Sequence, residues 1–172
     1  MKTRRALAAP YLLLLCLVSA PLMASMPSWF KDSFLYLGEE VANAAAEGKR
    51  VALYFHQEEC PYCKRMLEVN FSQRDIVEKT RAQFNVIAIN IWGDLEVTDL
   101  AGKVSSEKDF ARDQKVQFTP TMIFLDEQGA VTFRLNGYYP PERFSALLDY
   151  SAQRPAPTGS FKDFLAARTG PP

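Results

Sequence analysis

Cys60-Pro61-Tyr62-Cys63 sets two thiols three residues apart, directly after the β-branched and aromatic run Val51-Ala52-Leu53-Tyr54-Phe55 and ahead of a helical pattern. At a strand-to-helix turn, two thiols in that spacing can form and break a disulfide with little backbone movement. The chemistry on offer is reversible two-electron exchange. Pro61 suits the first helical position, where its missing N–H would be unpaired anyway. Cys60 therefore falls at the helix cap, where free backbone N–H groups and the positive end of the helix dipole converge. A thiolate is stabilised there, and the pKa of a C-x-x-C nucleophile can drop to roughly 3.5–7.5. Cys60 is the expected nucleophile, and Cys63, one turn further on, the resolving partner.

Counting cysteines narrows the alternatives. Of the three in the chain, Cys16 lies in an apolar leader, which leaves Cys60 and Cys63 as the only thiols of the remainder. A structural staple is the plain alternative, but a loop this short removes little entropy from the unfolded chain. Zinc needs about four ligands, and the chain offers these two thiols and one histidine, His56. A c-type haem would need a histidine directly after Cys63, where Lys64 stands. No metal and no cofactor is expected beyond the redox-active Cys60–Cys63 disulfide itself.

The 172 residues, 48% hydrophobic and 12% aromatic, suit one compact domain with appendages. Residues 1–24 read as an export signal. Lys2, Arg4 and Arg5 form a basic start, an apolar run extends from Ala6 to Ala20, and Ala24-Ser25 offers small residues for cleavage. The run approaches the ~20 residues that span a bilayer, so an uncleaved membrane anchor is the alternative. Without those three basic residues the balance is 17 basic against 20 acidic side chains, or −3. No basic patch points to nucleic acid. A periplasmic location is the expectation.

Next come the elements that must hold the thiols. Phe30, Phe34, Leu37, Val41, Ala44 and Ala45 recur at helical spacing, and Gly48 supplies a stop. Arg50 to Phe55 reads as a short buried strand, followed by the C-x-x-C helix to about Asn70. Ser72 to Asp75 has the form of a capping box for another helix, which carries Ile76 and Val77 inward. Asn85 to Trp92 is too continuously apolar for a solvent-facing strand and is expected to be central, covered on both faces. Val97-Thr98, Gly102 and Val104 outline a small hairpin, and Ser106 to Asp109 a cap for a short helix with Phe110 and Ala111. Thr121 to Leu125, the turn Asp126-Glu127-Gln128-Gly129, and Ala130 to Leu135 form a hairpin that ends at Asn136-Gly137. Pro141 opens a helix with Phe144, Leu147 and Leu148 on one face. Residues 152–172 read as a linker, with Phe161, Phe164 and Leu165 marking one more short helix.

This order, with CPYC after the first strand and Thr119-Pro120-Thr121 at the head of a later one, resembles thioredoxin over about residues 29–151. The domain proper is taken as 28–151. Four pieces resemble the exported SoxW-like branch of the thioredoxin-like superfamily: Leu53-Tyr54-Phe55, Glu58-Glu59-Cys60-Pro61-Tyr62-Cys63-Lys64, Phe118-Thr119-Pro120-Thr121, and Arg134-Leu135-Asn136-Gly137-Tyr138. The resemblance implies an α/β thioredoxin-like fold, a four- to five-stranded mixed sheet flanked by helices, with Pro120 cis and packed beside the two sulfurs. A cis X–Pro bond turns the backbone so that Thr119 can offer its N–H and C=O to an extended substrate strand. Thr119, Pro120, Pro61 and Tyr62 are thus the expected substrate-binding residues.

Two departures stand out. Thioredoxins carry an acid on the buried strand beneath the second cysteine, where this chain has Tyr54, and a tryptophan before the first cysteine, where it has Glu59. The candidates for proton transfer are then Glu58, Glu59, His56 or water. The expected activity is thiol–disulfide exchange, most simply reduction of protein disulfides by a monomeric periplasmic protein. The resemblance implies a membrane thiol–electron transporter of CcdA or DsbD type as the donor. A disulfide isomerase or oxidant would use the same residues, and a non-enzymatic assembly factor would use the C-x-x-C as a staple.

Overall fold

The computed structural model describes residues 26–169, so the leader at 1–24 lies outside the described residues. In chain order the elements are α1 (Leu37–Ala46), β1 (Arg50–His56), α2 (Pro61–Arg65) continuing as a π-helical turn (Met66–Asn70), α3 (Arg74–Gln83) and β2 (Phe84–Asn90). There follow β3 (Glu96–Thr98), β4 (Val104–Ser106), α4 (Glu107–Asp113), β5 (Thr121–Leu125), β6 (Val131–Asn136), α5 (Pro141–Ser151) and α6 (Phe161–Thr169). The main sheet runs β2-β1-β5-β6, with β3 and β4 as a separate pair. β1 and β2 are parallel, Tyr54 opposite Ala88, while β5 lies antiparallel to both β1 and β6. This is the mixed four-stranded sheet of a thioredoxin-like fold, flanked by helices.

β1 is buried from Arg50 to Phe55 because its alternating side chains feed two cores. Ala52 and Tyr54 join Met66, Phe71, Ile76, Phe144 and Leu147 on one face. Val51, Leu53 and Phe55 join Leu37, Val41, Ile87 and Phe110 on the other. A strand apolar on both faces needs helices on both, which fixes the C-x-x-C helix on one side and α1 with α4 on the other.

Three expectations are corrected here. Phe30 and Phe34 do not belong to the first helix, which begins at Leu37. Leu35 takes a left-handed backbone, φ +61°, and breaks the run. Phe30 packs on the Tyr54 face and α1 on the opposite one, so the chain must pass around the sheet between them. It does so at β2, where Lys31 N–H donates to Val86 C=O across 2.7 Å. That contact marks the second correction: β2 is an edge strand, not a central one. Its apolar pattern reports helices over both faces, which says nothing about a lateral neighbour. Third, Ser72 caps nothing; its hydroxyl donates back to Val69 C=O, and α3 starts after Gln73.

The other expected elements stand. β3 and β4 form the small hairpin, and Ser106 Oγ accepts from Asp109 N–H at the start of α4. The C-x-x-C helix reaches Asn70, its last turn widened to π geometry. α6 lays Phe161 against Phe133 and Tyr150, with ring centroids 5.5 and 5.4 Å apart.

Candidate active site

The backbone at the β1–α2 junction does what the cysteine spacing requires. Cys60 is extended and caps α2, Pro61 occupies its first turn, and Cys63 N–H donates to Cys60 Sγ across 3.1 Å. The two cysteines are joined in a disulfide with their α-carbons 5.2 Å apart. Both cysteines are buried, Cys60 at 7% exposure and Cys63 at 4%.

The Thr119–Pro120 peptide bond is cis. It brings Thr119 from the head of β5 against Cys60, with Thr119 Oγ1 at 3.3 Å from the sulfur and Thr119 carbonyl oxygen at 3.5 Å. Pro120 is buried, and its carbonyl accepts from Gly137 N–H across 2.8 Å. Gly137 has φ +84°, a backbone that a residue with a side chain adopts only with strain. Cys60, Cys63, Thr119 and Pro120 thus meet in one place, as the sequence leads one to expect.

Pro61 and Tyr62 lie on the exposed shoulder of α2, Tyr62 at 57% exposure. Two further aromatic rings flank the disulfide segment, and sequence reasoning missed both as site residues. Phe118, at 65% exposure, precedes Thr119 directly. Trp92, at 62%, stands just past the end of β2 and donates its indole N–H to Gln57 Oε1 across 2.8 Å. An exposed aromatic beside a strand end was the available signal, hidden because Trp92 reads as the last residue of an apolar strand. On α2, Arg65 stacks its guanidinium 4.9 Å from the ring of Tyr138.

The three proton-transfer candidates fall in different surroundings. Glu58 and Glu59 are solvent-exposed, and Glu59 adopts φ +54° in the tight turn before Cys60. His56 is half-buried at the end of β1, its ring stacked 5.9 Å from that of Tyr54. Burial holds its pKa below the ordinary value, with the Glu58 carboxylate opposing that shift. Tyr54 is fully buried and burial pushes its phenol well above the usual range, so it stays neutral.

Among the described residues no group of three or more His, Cys, Asp or Glu side chains is placed to hold a metal ion. No helix among them is long and apolar enough to cross a membrane.

A mixed sheet with a capped C-x-x-C disulfide at the end of β1 and a cis-proline turn against it is a thioredoxin-like oxidoreductase fold. A thioredoxin-like domain family matches residues 37–152, and the chain belongs to that family. No curated protein matches the chain. Solved structures similar to it include a thioredoxin-fold protein from Helicobacter pylori, at 22% identity and TM-score 0.64, over 82% of this chain and 92% of that one. A thioredoxin from Thermus thermophilus is 30% identical, with TM-score 0.50, over 66% of this chain and 82% of that one. The C-terminal domain of Neisseria meningitidis DsbD, in its oxidised form, is 17% identical with TM-score 0.51, over 71% and 97%. The site and family together define a thiol–disulfide oxidoreductase in the general sense.

Proposed function

We propose that this chain is an exported, SoxW-like thiol–disulfide oxidoreductase that reduces disulfides in substrate proteins through the Cys60–Cys63 dithiol. The observation that carries the reading is the placement of Thr119, at the cis-proline turn, directly against the Cys60 sulfur. A substrate strand paired with the Thr119 backbone brings its own disulfide to that sulfur.

In the reduced protein the Cys60 thiolate attacks one sulfur of the substrate disulfide, forming a mixed disulfide and releasing the other substrate sulfur as a thiolate. Cys63 gives up its proton and attacks Cys60 Sγ, releasing the second substrate thiolate. The Cys60–Cys63 disulfide forms, and the two electrons have passed to the substrate. No cofactor takes part. Export rests on the basic and apolar leader of residues 1–24, and an oxidising compartment requires an outside donor of electrons. A membrane thiol–electron transporter of CcdA or DsbD type fills that place.

Reduction of insulin by dithiothreitol tests the activity. The parent protein accelerates it and Cys60→Ser does not; equal rates would make the disulfide a staple and reject the proposal. The potential of the Cys60–Cys63 pair tests direction: a value near about −270 mV fits a reductant, and one near about −120 mV an oxidant.

A further inference from the structure

We propose that the outer edge of β2 at Ala88 is a docking slot for an extended polypeptide segment carrying a lysine or arginine, held by the backbone of Ala88 and by the buried carboxylate of Glu107. None of the residues lining the slot belongs to the disulfide site, so it serves whichever way the thiols exchange electrons.

The edge is open over one residue. Backbone groups alternate in direction along a strand, and those of Val86 and Asn90 point outward: Val86 C=O accepts from Lys31 N–H, and Asn90 N–H donates to Glu107 Oε1. Ala88, midway between them, therefore also turns its N–H and C=O away from β1, and neither has a partner among the described residues. An unpaired N–H and C=O on an edge strand is what an added strand pairs with. A single residue laid antiparallel beside Ala88 exchanges both bonds with it. The strap at Lys31 and the Glu107 side chain close the edge on either side, so the slot takes a short extended segment rather than a full strand.

A cavity of about 340 Å³ opens beside Ala88, walled by Phe30, Leu35, Ile87, Leu95 and Glu107. Glu107 is 5% exposed, and while its Oε1 takes the Asn90 N–H, its Oε2 has no hydrogen-bond partner among the described residues. A buried carboxylate without a cation is costly. Lys31 is the one cation among the lining residues, and its charge acts on Glu47. Asp32, exposed on the rim, adds a second negative charge. The slot thus lacks a positive group and offers an apolar path to the place where one is needed. Side chains alternate along an added strand, so the residue next to the one paired with Ala88 points to the Ile87 side. A lysine or arginine there lays its methylene stem along Leu35, Ile87 and Leu95 and brings its charged head to Glu107.

Amide NMR titration of the full chain with two end-blocked five-residue peptides tests this. One peptide runs threonine, valine, lysine, valine, threonine; the other has norleucine for lysine, which keeps the stem and drops the ammonium. The lysine peptide shifts the amides of Ala88 and Asn90 and binds about tenfold more tightly than the norleucine peptide, as a hydrogen bond to an ionised group allows. Glu107→Gln, whose carboxamide oxygen still accepts from Asn90 N–H, binds the two peptides alike. Ala88→Pro removes the outward N–H at a position where an edge strand tolerates proline, and it weakens both. Equal binding of the two peptides by the parent overturns the proposal, as do shifts confined to the amides around Thr119, which would seat the peptide at the disulfide. Neither readout involves thiol exchange. Failure of insulin reduction by the parent would thus reject the reductase reading alone, and loss of the lysine preference the slot alone.

Discussion

The Tyr54 hydroxyl donates to the backbone carbonyl of Cys63 across 3.4 Å, from beneath the helix that carries both cysteines. Tyr54 lies in an aromatic box, with Phe30 and Phe71 centroids 5.7 and 6.3 Å from its own and Trp29 packed against both of those rings. The position where thioredoxins carry an acid is here a neutral phenol in apolar surroundings. It holds up the helix but takes no proton from Cys63.

Tyr54→Phe is accordingly expected to leave the release of substrate from the mixed disulfide within about fivefold of the parent, because a single long neutral hydrogen bond contributes at most about 1 kcal/mol. Tyr54→Asp should behave differently. A carboxyl in that box, desolvated among aromatic rings and with only the half-buried His56 beside it, raises its own pKa. Its folded pKa then lies above the unfolded one, so the variant loses stability as pH rises through the carboxylate range. Chemical denaturation from pH 4 to 8 checks this, and a pH-independent loss would contradict it.

Much of this arrangement is legible in the chain. Cys60-Pro61-Tyr62-Cys63 after an apolar run fixes the strand–turn–helix, since proline and the cysteine spacing act locally. Thr119-Pro120 and the hairpin behind it are equally local. Phe30 and Phe34 mislead because periodicity cannot see the turn at Leu35: Phe30 packs on the Tyr54 face, opposite the helix, and Phe34 is left exposed. β2 misleads for a related reason: burial on both faces and lateral pairing are separate properties, and only the first leaves a trace in composition. The hydroxyl of Thr119 has no sequence signal at all, because its direction depends on a rotamer beside a sulfur that is distant in sequence.

Far from the disulfide, Arg50 is buried at 2% exposure and grips Glu127 with two bonds, Nε to Oε1 at 2.9 Å and Nη2 to Oε2 at 3.0 Å. Its Nη1 also serves the carbonyls of Ser151 and Gln153, tying β1, the β5–β6 turn and the end of α5 together. The Arg50 guanidinium, foremost, lowers the Glu127 pKa from 4.5 to about 2, with Arg154 assisting. A depressed carboxylate stabilises the fold fully above its unfolded pKa, and that contribution disappears as pH falls from about 5 toward 2. With screening at this partly open site discounted, the loss amounts to roughly 2 kcal/mol. Unfolding free energies measured between pH 7 and 2 should show it, and Glu127→Gln should flatten that part of the curve.

Gly93 and Glu107 make a second long-range clamp, close to Trp92. Glu107 is 5% exposed, and its Oε1 accepts from Asn90 N–H across 2.9 Å at the open edge of β2. A methyl group on Gly93 would collide with Glu107 Oε2. Gly93→Ala must displace the carboxylate from Asn90, at a cost of about 1–3 kcal/mol for the orphaned backbone N–H. The double variant with Glu107→Ala should lose less than the sum of the two single changes. Strict additivity in denaturant titrations would show that the two residues do not act together.

His56 stacks on Tyr54, whose hydroxyl reaches the Cys63 carbonyl, which puts a titratable ring on the same side of β1 as the second cysteine. Burial depresses its pKa, against the opposing pull of the Glu58 carboxylate, and so favours the neutral imidazole that can accept a proton. As pH falls through its folded pKa it becomes protonated and that capacity disappears. The release of substrate from a Cys60 mixed disulfide should therefore slow on acidification with a midpoint below the ordinary histidine value of about 6.5, beyond the decline owed to Cys63 itself. His56→Gln preserves size and polarity but neither takes nor gives a proton. Single-turnover release followed from pH 5 to 8 should show the acid limb in the parent and lose it in the variant. An unchanged limb in His56→Gln would leave water, reached across the exposed Glu58–Glu59 turn, as the acceptor.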